Sequence, residues 1–229
     1  MYFISCLFAV LCSIVLPAGA AALLCLRERR LVKPLLLGAG TFLVFQVLLR
    51  LPLIQLVLPK AGWYAVMSAL YPGLYALFLG CTAALFEELG RFLVMRRFLR
   101  SSLRTADALA FGVGHGGIEA VLLVGINSVA LLFSPLPLAA PSLMFAAGVE
   151  RLCTLVFHVC WSVMIMRAVR GKKPLWLALA LLTHAALDTG AALASFAGVG
   201  VWYIELALAV CAAPAALFVI NEFRKEKKQ

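Results

Sequence analysis

From residue 3 onward the sequence keeps returning to one constraint: an apolar stretch of bilayer-spanning length, a short polar connection, then another such stretch. A helix needs about 20 apolar residues to cross a hydrocarbon core of about 30 Å. Windows that satisfy this fall near 3–26, 34–58, 72–96, 106–133, 142–167, 174–194 and 200–221. In lipid every backbone N–H and C=O must be paired within its own segment, so such windows become helices. The sequence therefore predicts an all-α, polytopic membrane bundle of about seven transmembrane helices, forming a single transmembrane domain over 1–229.

Charge sorts the connections. Arg27, Arg29, Arg30 and Lys33, then Arg96, Arg97, Arg100 and Arg104, then Arg167, Arg170, Lys172 and Lys173, and finally Arg224, Lys225, Lys227 and Lys228 fall on one side; the opposite loops hold only Lys60. Cytoplasmic loops carry such an excess, which assigns N-out and C-in. The first window lacks a basic region before it and has one after it, so it reads as a retained helix. The net charge of +10 resides in these clusters. A nucleic-acid reader needs its cations on a solvated face, so the expected partner is the lipid bilayer and no nucleic acid. The location implied is a cell membrane, crossed many times. Seven cysteines lie inside apolar runs without a CxxC pair and read as packing residues.

The ionisable set read inside the windows is Arg50, Glu87, Glu88, Arg91, His115, Glu119, Glu150, Arg151, His158, His184 and Asp188. Each Arg or Asp at a helix centre costs about 2.5–3.5 kcal/mol to insert, so these groups must face one another or water. Depth follows by counting from the nearest cytoplasmic basic residue at about 1.5 Å per residue. Glu87 and His158 lie about 9 positions in, His115 and His184 about 11, which brings four helices to one level about 14–16 Å deep. Glu119, Glu150, Arg151, Asp188 and Arg50 form a second level at about 15–17 positions. That layer mixes both signs, and Arg50, Glu150 and Arg151 read as structural pairs. Gln46 and Arg50 share one helix face. Three histidines at the depth of adjacent carboxylates read instead as a hydrolytic cluster.

Three patterns carry the chemistry. Phe86-Glu87-Glu88-Leu89-Gly90-Arg91 puts Arg91 one turn after Glu87, where it can hold a carboxylate ionised. Phe111 to Glu119 sets His115 and Glu119 at i and i+4, with four glycines that permit close backbone approach. His184-Ala185-Ala186-Leu187-Asp188 again spaces two polar groups one turn apart.

Glu-Glu-x-x-Arg, Phe-x-x-x-His and His-x-x-x-Asp on successive helices resemble the glutamic intramembrane proteases of the CAAX-prenyl-endopeptidase type. The longer strings Phe86–Arg91, Gly112–Glu119, Gln46-x-x-x-Arg50-x-Pro52 and Glu150-Arg151 through His158 are closer to the bacterial YhfC family of membrane peptidases. The resemblance runs from the second window to the sixth. It implies an intramembrane protease acting on membrane-embedded or membrane-anchored peptides. Glu87, with His115, would activate a water, and His184 and Asp188 would stabilise the oxyanion. Glu88 stands beside the base, and Arg91, Glu119, Glu150, Arg151 and His158 support the site. Arg91 follows the Glu pair by one position fewer than in the CAAX-type pattern, and Asp188 stands where relatives of that type carry an Asn donor.

Two other readings remain open at this stage. His115, His158 and His184 could instead hold Zn, since three His ligands and a water form a known catalytic arrangement; the metal-free glutamate mechanism, with no cofactor, is the favoured expectation. Intramembrane Asp, Glu and His also build the proton relays of coupled transporters, which would predict internal repeats that the sequence does not display.

Overall fold

The computed structural model describes residues 1–100, 103–134 and 136–228. Among these residues there is no β-strand, and the helices follow the apolar windows: α1 Tyr2–Arg27, α2 Arg29–Lys60, α3 Gly62–Leu70, α4 Pro72–Phe98, α5 Thr105–Leu132, α6 Pro141–Gly171, α7 Pro174–Phe196 and α8 Val201–Glu226. Six of these are long and apolar enough to cross a membrane; a seventh span results if the bent pair α3 and α4 counts as one. The expected all-α, polytopic architecture is what the chain adopts.

Exposure is inverted relative to a protein in water. Leu48 and Leu182 are 65% and 67% exposed, whereas Glu88 and Arg91 are 0%. Lipid tails solvate leucine as well as a core does, so the apolar surface gains nothing by hiding and the charges must.

The chain divides into two compact units. The first comprises Met1–Ala39, Arg104–Val163 and Val201–Gln229; the second comprises Gly40–Leu103 and Met164–Gly200.

In the first unit glycines decide how close the helices come. A Cβ on Gly114 would lie 2.0 Å from the Leu35 carbonyl oxygen of α2, and one on Gly112 would lie 2.5 Å from the Val159 Cα of α6. Residues 112 and 116 are one turn apart and serve the α6 side, while 114, between them, serves α2. One helix thereby touches two neighbours at backbone distance. The N-terminus of α5 is closed by Asp107, which accepts the Arg104 N–H at 2.7 Å and Arg30 Nη2 at 3.1 Å. Glu226 accepts the Thr105 N–H at 3.0 Å, and Glu28 pairs with Arg30 and Arg104. These acids tie the basic end of the unit together.

Proline shapes α1 and α2. Pro17 has no N–H for the carbonyl of Ser13, and the preceding turns Leu11–Val15 widen to π geometry. Pro52 withholds its bond from Leu48 in the same way, and Phe42–Arg50 is π-helical.

In the second unit α4 lies against α7. A Cβ on Gly80 would meet Thr189 Oγ1 at 2.3 Å and the Ala185 carbonyl oxygen at 2.9 Å. Arg50 reaches α4, donating from Nη2 to the Leu79 carbonyl at 2.7 Å and from Nε to Thr82 Oγ1 at 3.1 Å; Gln46 accepts its Nη1 at 3.3 Å, on the face their spacing predicts. Between α3 and α4 the chain turns by 116° at Tyr71. Pro72 bars the preceding residue from the helical region, and Tyr71 sits at φ −127°, ψ 70°. Tyr64 and Tyr75 flank the bend with rings 5.9 Å apart, and the Tyr64 hydroxyl donates to the Ile54 carbonyl at 3.1 Å.

Candidate active site

Each unit holds a buried group of the residues singled out by sequence.

The first group stands on α5 and α6. His115 and Glu119 lie one turn apart on α5, and both are buried. His158 comes from α6, where it fits because Gly116 has no side chain; a Cβ there would meet the imidazole Cδ2 at 2.8 Å. The His115 and His158 rings are 5.1 Å apart, and Trp161 meets His158 edge-on at 5.4 Å. His158 Nε2 lies 2.6 Å from Glu119 Oε2, while the other oxygen, Oε1, accepts Arg151 Nη1 at 2.8 Å. Arg151 also pairs through Nη2 with Glu150, whose side chain is partly exposed. Its guanidinium thus bridges two carboxylates, and the buried positive charge is compensated.

This group fits a metal ion. One ligand atom from each of His115, Glu119 and His158 lies within 4.8 Å of the others, and all three residues are buried. Two imidazoles and a carboxylate form a donor set of catalytic zinc. Tetrahedral bonds of about 2.0–2.1 Å space their ligands about 3.3 Å apart, so only small side-chain adjustments separate the observed arrangement from a closed one. The third donor beside the two histidines is Glu119, which the sequence suggested as a supporting residue.

The second group stands on α4 and α7. Arg91 Nη2 donates to Glu87 Oε2 at 3.2 Å, and Arg91 Nη1 lies 3.6 Å from Glu88 Oε1. Both carboxylates therefore answer to one guanidinium within a single helical turn. His184 reaches across from α7, with Nδ1 2.8 Å from Glu88 Oε1. Asp188, half-buried, has Oδ2 3.6 Å from His184 Nε2, beyond hydrogen-bond range. His184, the third histidine of the zinc alternative, contacts Glu88 of this carboxylate cluster directly.

Three buried acids, Asp107, Glu205 and Glu222, escaped the reading of the sequence. Glu205 on α8 is 4% exposed, in the first unit. The signal was present, since it is the lone charged residue between Val201 and Ile220.

Residues 12–136 and 132–208 match the model of the YhfC intramembrane metalloprotease family. YhfC of Bacillus subtilis (strain 168), described as an uncharacterized membrane protein, is 32% identical over 192 residues, covering 71% of this chain and 73% of the relative. No solved structure matches the chain. The family description names a metal, so the expectation of a site without a cofactor has no support, and the buried Glu/His group supplies suitable donors. The helices and the bacterial relative fit a multi-pass protein of the cell membrane. By this match over most of its length, the chain belongs to the YhfC intramembrane metalloprotease family.

Proposed function

We propose that the chain is a metal-dependent endopeptidase of membrane-embedded or membrane-anchored peptides, with a divalent cation, zinc by donor chemistry, held by His115, Glu119 and His158. The observation that carries this reading is the convergence of those three buried donors within 4.8 Å. When bound, such an ion polarises a peptide carbonyl and makes water acidic enough to ionise near neutral pH.

The chain's own residues do the rest. Arg151 fixes one oxygen of Glu119, which aims the other toward the histidines. Trp161 and the bare backbone of Gly116 hold the His158 ring in place. Proton transfer is assigned to the second group. The 2.8 Å contact between Glu88 and His184 is within proton-transfer reach, and Arg91 orients Glu87 by donating to its Oε2. Counting along the sequence gives Glu87 and His184 the same depth as His115 and His158, which supports giving all four to one reaction. His184 is assigned to the oxyanion as a donor, and Asp188, next to it, joins it there only as a protonated acid, since a carboxylate has no proton to donate. The cytoplasmic side is taken as the one bearing the basic clusters, with the N-terminus outside.

A second reading is favoured by the buried Glu88–His184–Arg91 arrangement itself, which needs no ion to activate a water. That is the metal-free glutamate mechanism of the CAAX-prenyl-endopeptidase type. One experiment separates the two: cleavage of a membrane peptide by the purified protein, with metal content measured on wild type, His158→Ala and Glu119→Gln. Zinc bound stoichiometrically, lost in both variants together with cleavage, is the expected result. Cleavage that survives the loss of metal selects the glutamate mechanism, and no cleavage by any metal-loaded form rejects a peptidase.

A further inference from the structure

A cavity of about 280 Å³ opens in the second unit, where the end of α4 meets the α6–α7 turn. Its cations are Arg96 and Arg100 from α4 and Lys172 from the turn; Phe92, Val169 and Leu177 form an apolar floor. No Asp or Glu occurs in the sequence between Glu88 and Asp107, or between Arg151 and Asp188. The cations are exposed, and like charges gathered around one concavity repel unless an anion joins them.

The backbone gives an independent sign. Lys172 has φ +50°, the one non-glycine residue at positive φ among those described. That conformation is strained for a residue with a Cβ and relaxed for glycine, and Gly171 stands one place too early to use it. The left-handed residue closes the C-terminus of α6, a place where glycine is usual, and a lysine stands there at the wall of the cavity. Beside it Arg167 stacks on Trp176 at 4.0 Å, and tryptophan is a residue enriched at the headgroup level of membranes.

We propose that this cavity binds the phosphate of an anionic phospholipid headgroup, with Arg96, Arg100 and Lys172 on the phosphate oxygens and the apolar floor under the glycerol end of the acyl chains. Basic pockets between transmembrane helices take such headgroups. The chemistry is shared with free phosphate; the apolar floor is what favours the lipid. The site stands apart from the proposed peptidase chemistry and does not depend on it.

The test uses the full-length protein in nanodiscs of phosphatidylcholine doped with phosphatidylglycerol, with retained lipid counted after delipidating washes. Inorganic phosphate alone is titrated in a parallel arm. The variants are Arg96→Gln, Arg100→Gln and Lys172→Gly, singly and combined, with Lys227→Gln/Lys228→Gln as a charge-matched control in the tail. Phosphatidylglycerol should be enriched over phosphatidylcholine, and each cavity charge removed should lower its retention about fivefold. The tail variant should retain it fully. Lys172→Gly relaxes the turn, so a loss of lipid there with thermal stability kept or raised cannot come from unfolding. Equal retention of the two lipids, or equal losses in tail and cavity variants, overturns the proposal. Binding of inorganic phosphate without lipid enrichment overturns the lipid assignment.

Discussion

Arg151 donates from Nη1 to Oε1 of Glu119 at 2.8 Å, both side chains being buried, and so sets where the opposite oxygen of that carboxylate points. If Glu119 is a metal ligand, Arg151 is its positioning residue. Arg151→Met should lower metal affinity about 10–100-fold, in the range seen when a ligand's outer partner is removed. Arg151→Lys should restore part of it. Competition with a calibrated chelator reads the affinity directly; affinity unchanged in Arg151→Met would remove the positioning role.

The Glu88–His184 contact predicts a different phenotype, in catalysis and in stability. His184→Ala leaves a buried carboxylate with one partner fewer, a loss worth about 1–3 kcal/mol. Glu88→Gln keeps a hydrogen-bonding oxygen at the same place and should unfold at a temperature closer to wild type. Both should slow peptide cleavage by about 10²-fold or more, the scale of a lost acid–base partner. Thermal melts and single-turnover cleavage, run side by side, separate the two effects.

Gly114 and Gly40 should respond oppositely to the same change. In Gly114→Ala the new methyl would start 2.0 Å from the Leu35 carbonyl oxygen, so backbone must move. Overpacking of that kind costs about 1–3 kcal/mol. Gly40 has open space around it, and alanine there removes the entropic penalty of a helical glycine, a gain of about 0.5–1 kcal/mol. Denaturation midpoints in one detergent should move down for the first and up for the second.

Apolar length and loop charge made the helices legible, because lipid leaves a backbone no other choice. The i, i+4 spacings of Glu87 with Arg91 and of Gln46 with Arg50 were equally readable, since both partners ride one helix. Pairings between helices were not. That Glu88 meets His184, and that Glu119 meets Arg151 and His158, depends on how α4 and α5 rotate about their axes. Those rotations are fixed by which neighbour each glycine admits, as Gly80 admits α7 and Gly116 admits His158. A charge count passes over Glu205, which burial makes salient.

The 116° turn at Tyr71 decides a matter of parity. Helix α3, with 9 residues, extends about 13–14 Å and is too short to reach the far leaflet, while α4, with 27, extends about 40 Å; the two pass as one span when taken together. With α4 as a crossing and α3 as a shallow foot, the number of crossings is odd, and the two chain ends emerge into different compartments. An even number would return them to the same one and send the basic segments after α1 and α4 to opposite faces. Impermeant labelling of cysteines placed at residues 1 and 228 should therefore mark one end in intact cells and the other only after permeabilisation. A single proline after Tyr71 thus bears on the address of every loop that follows it.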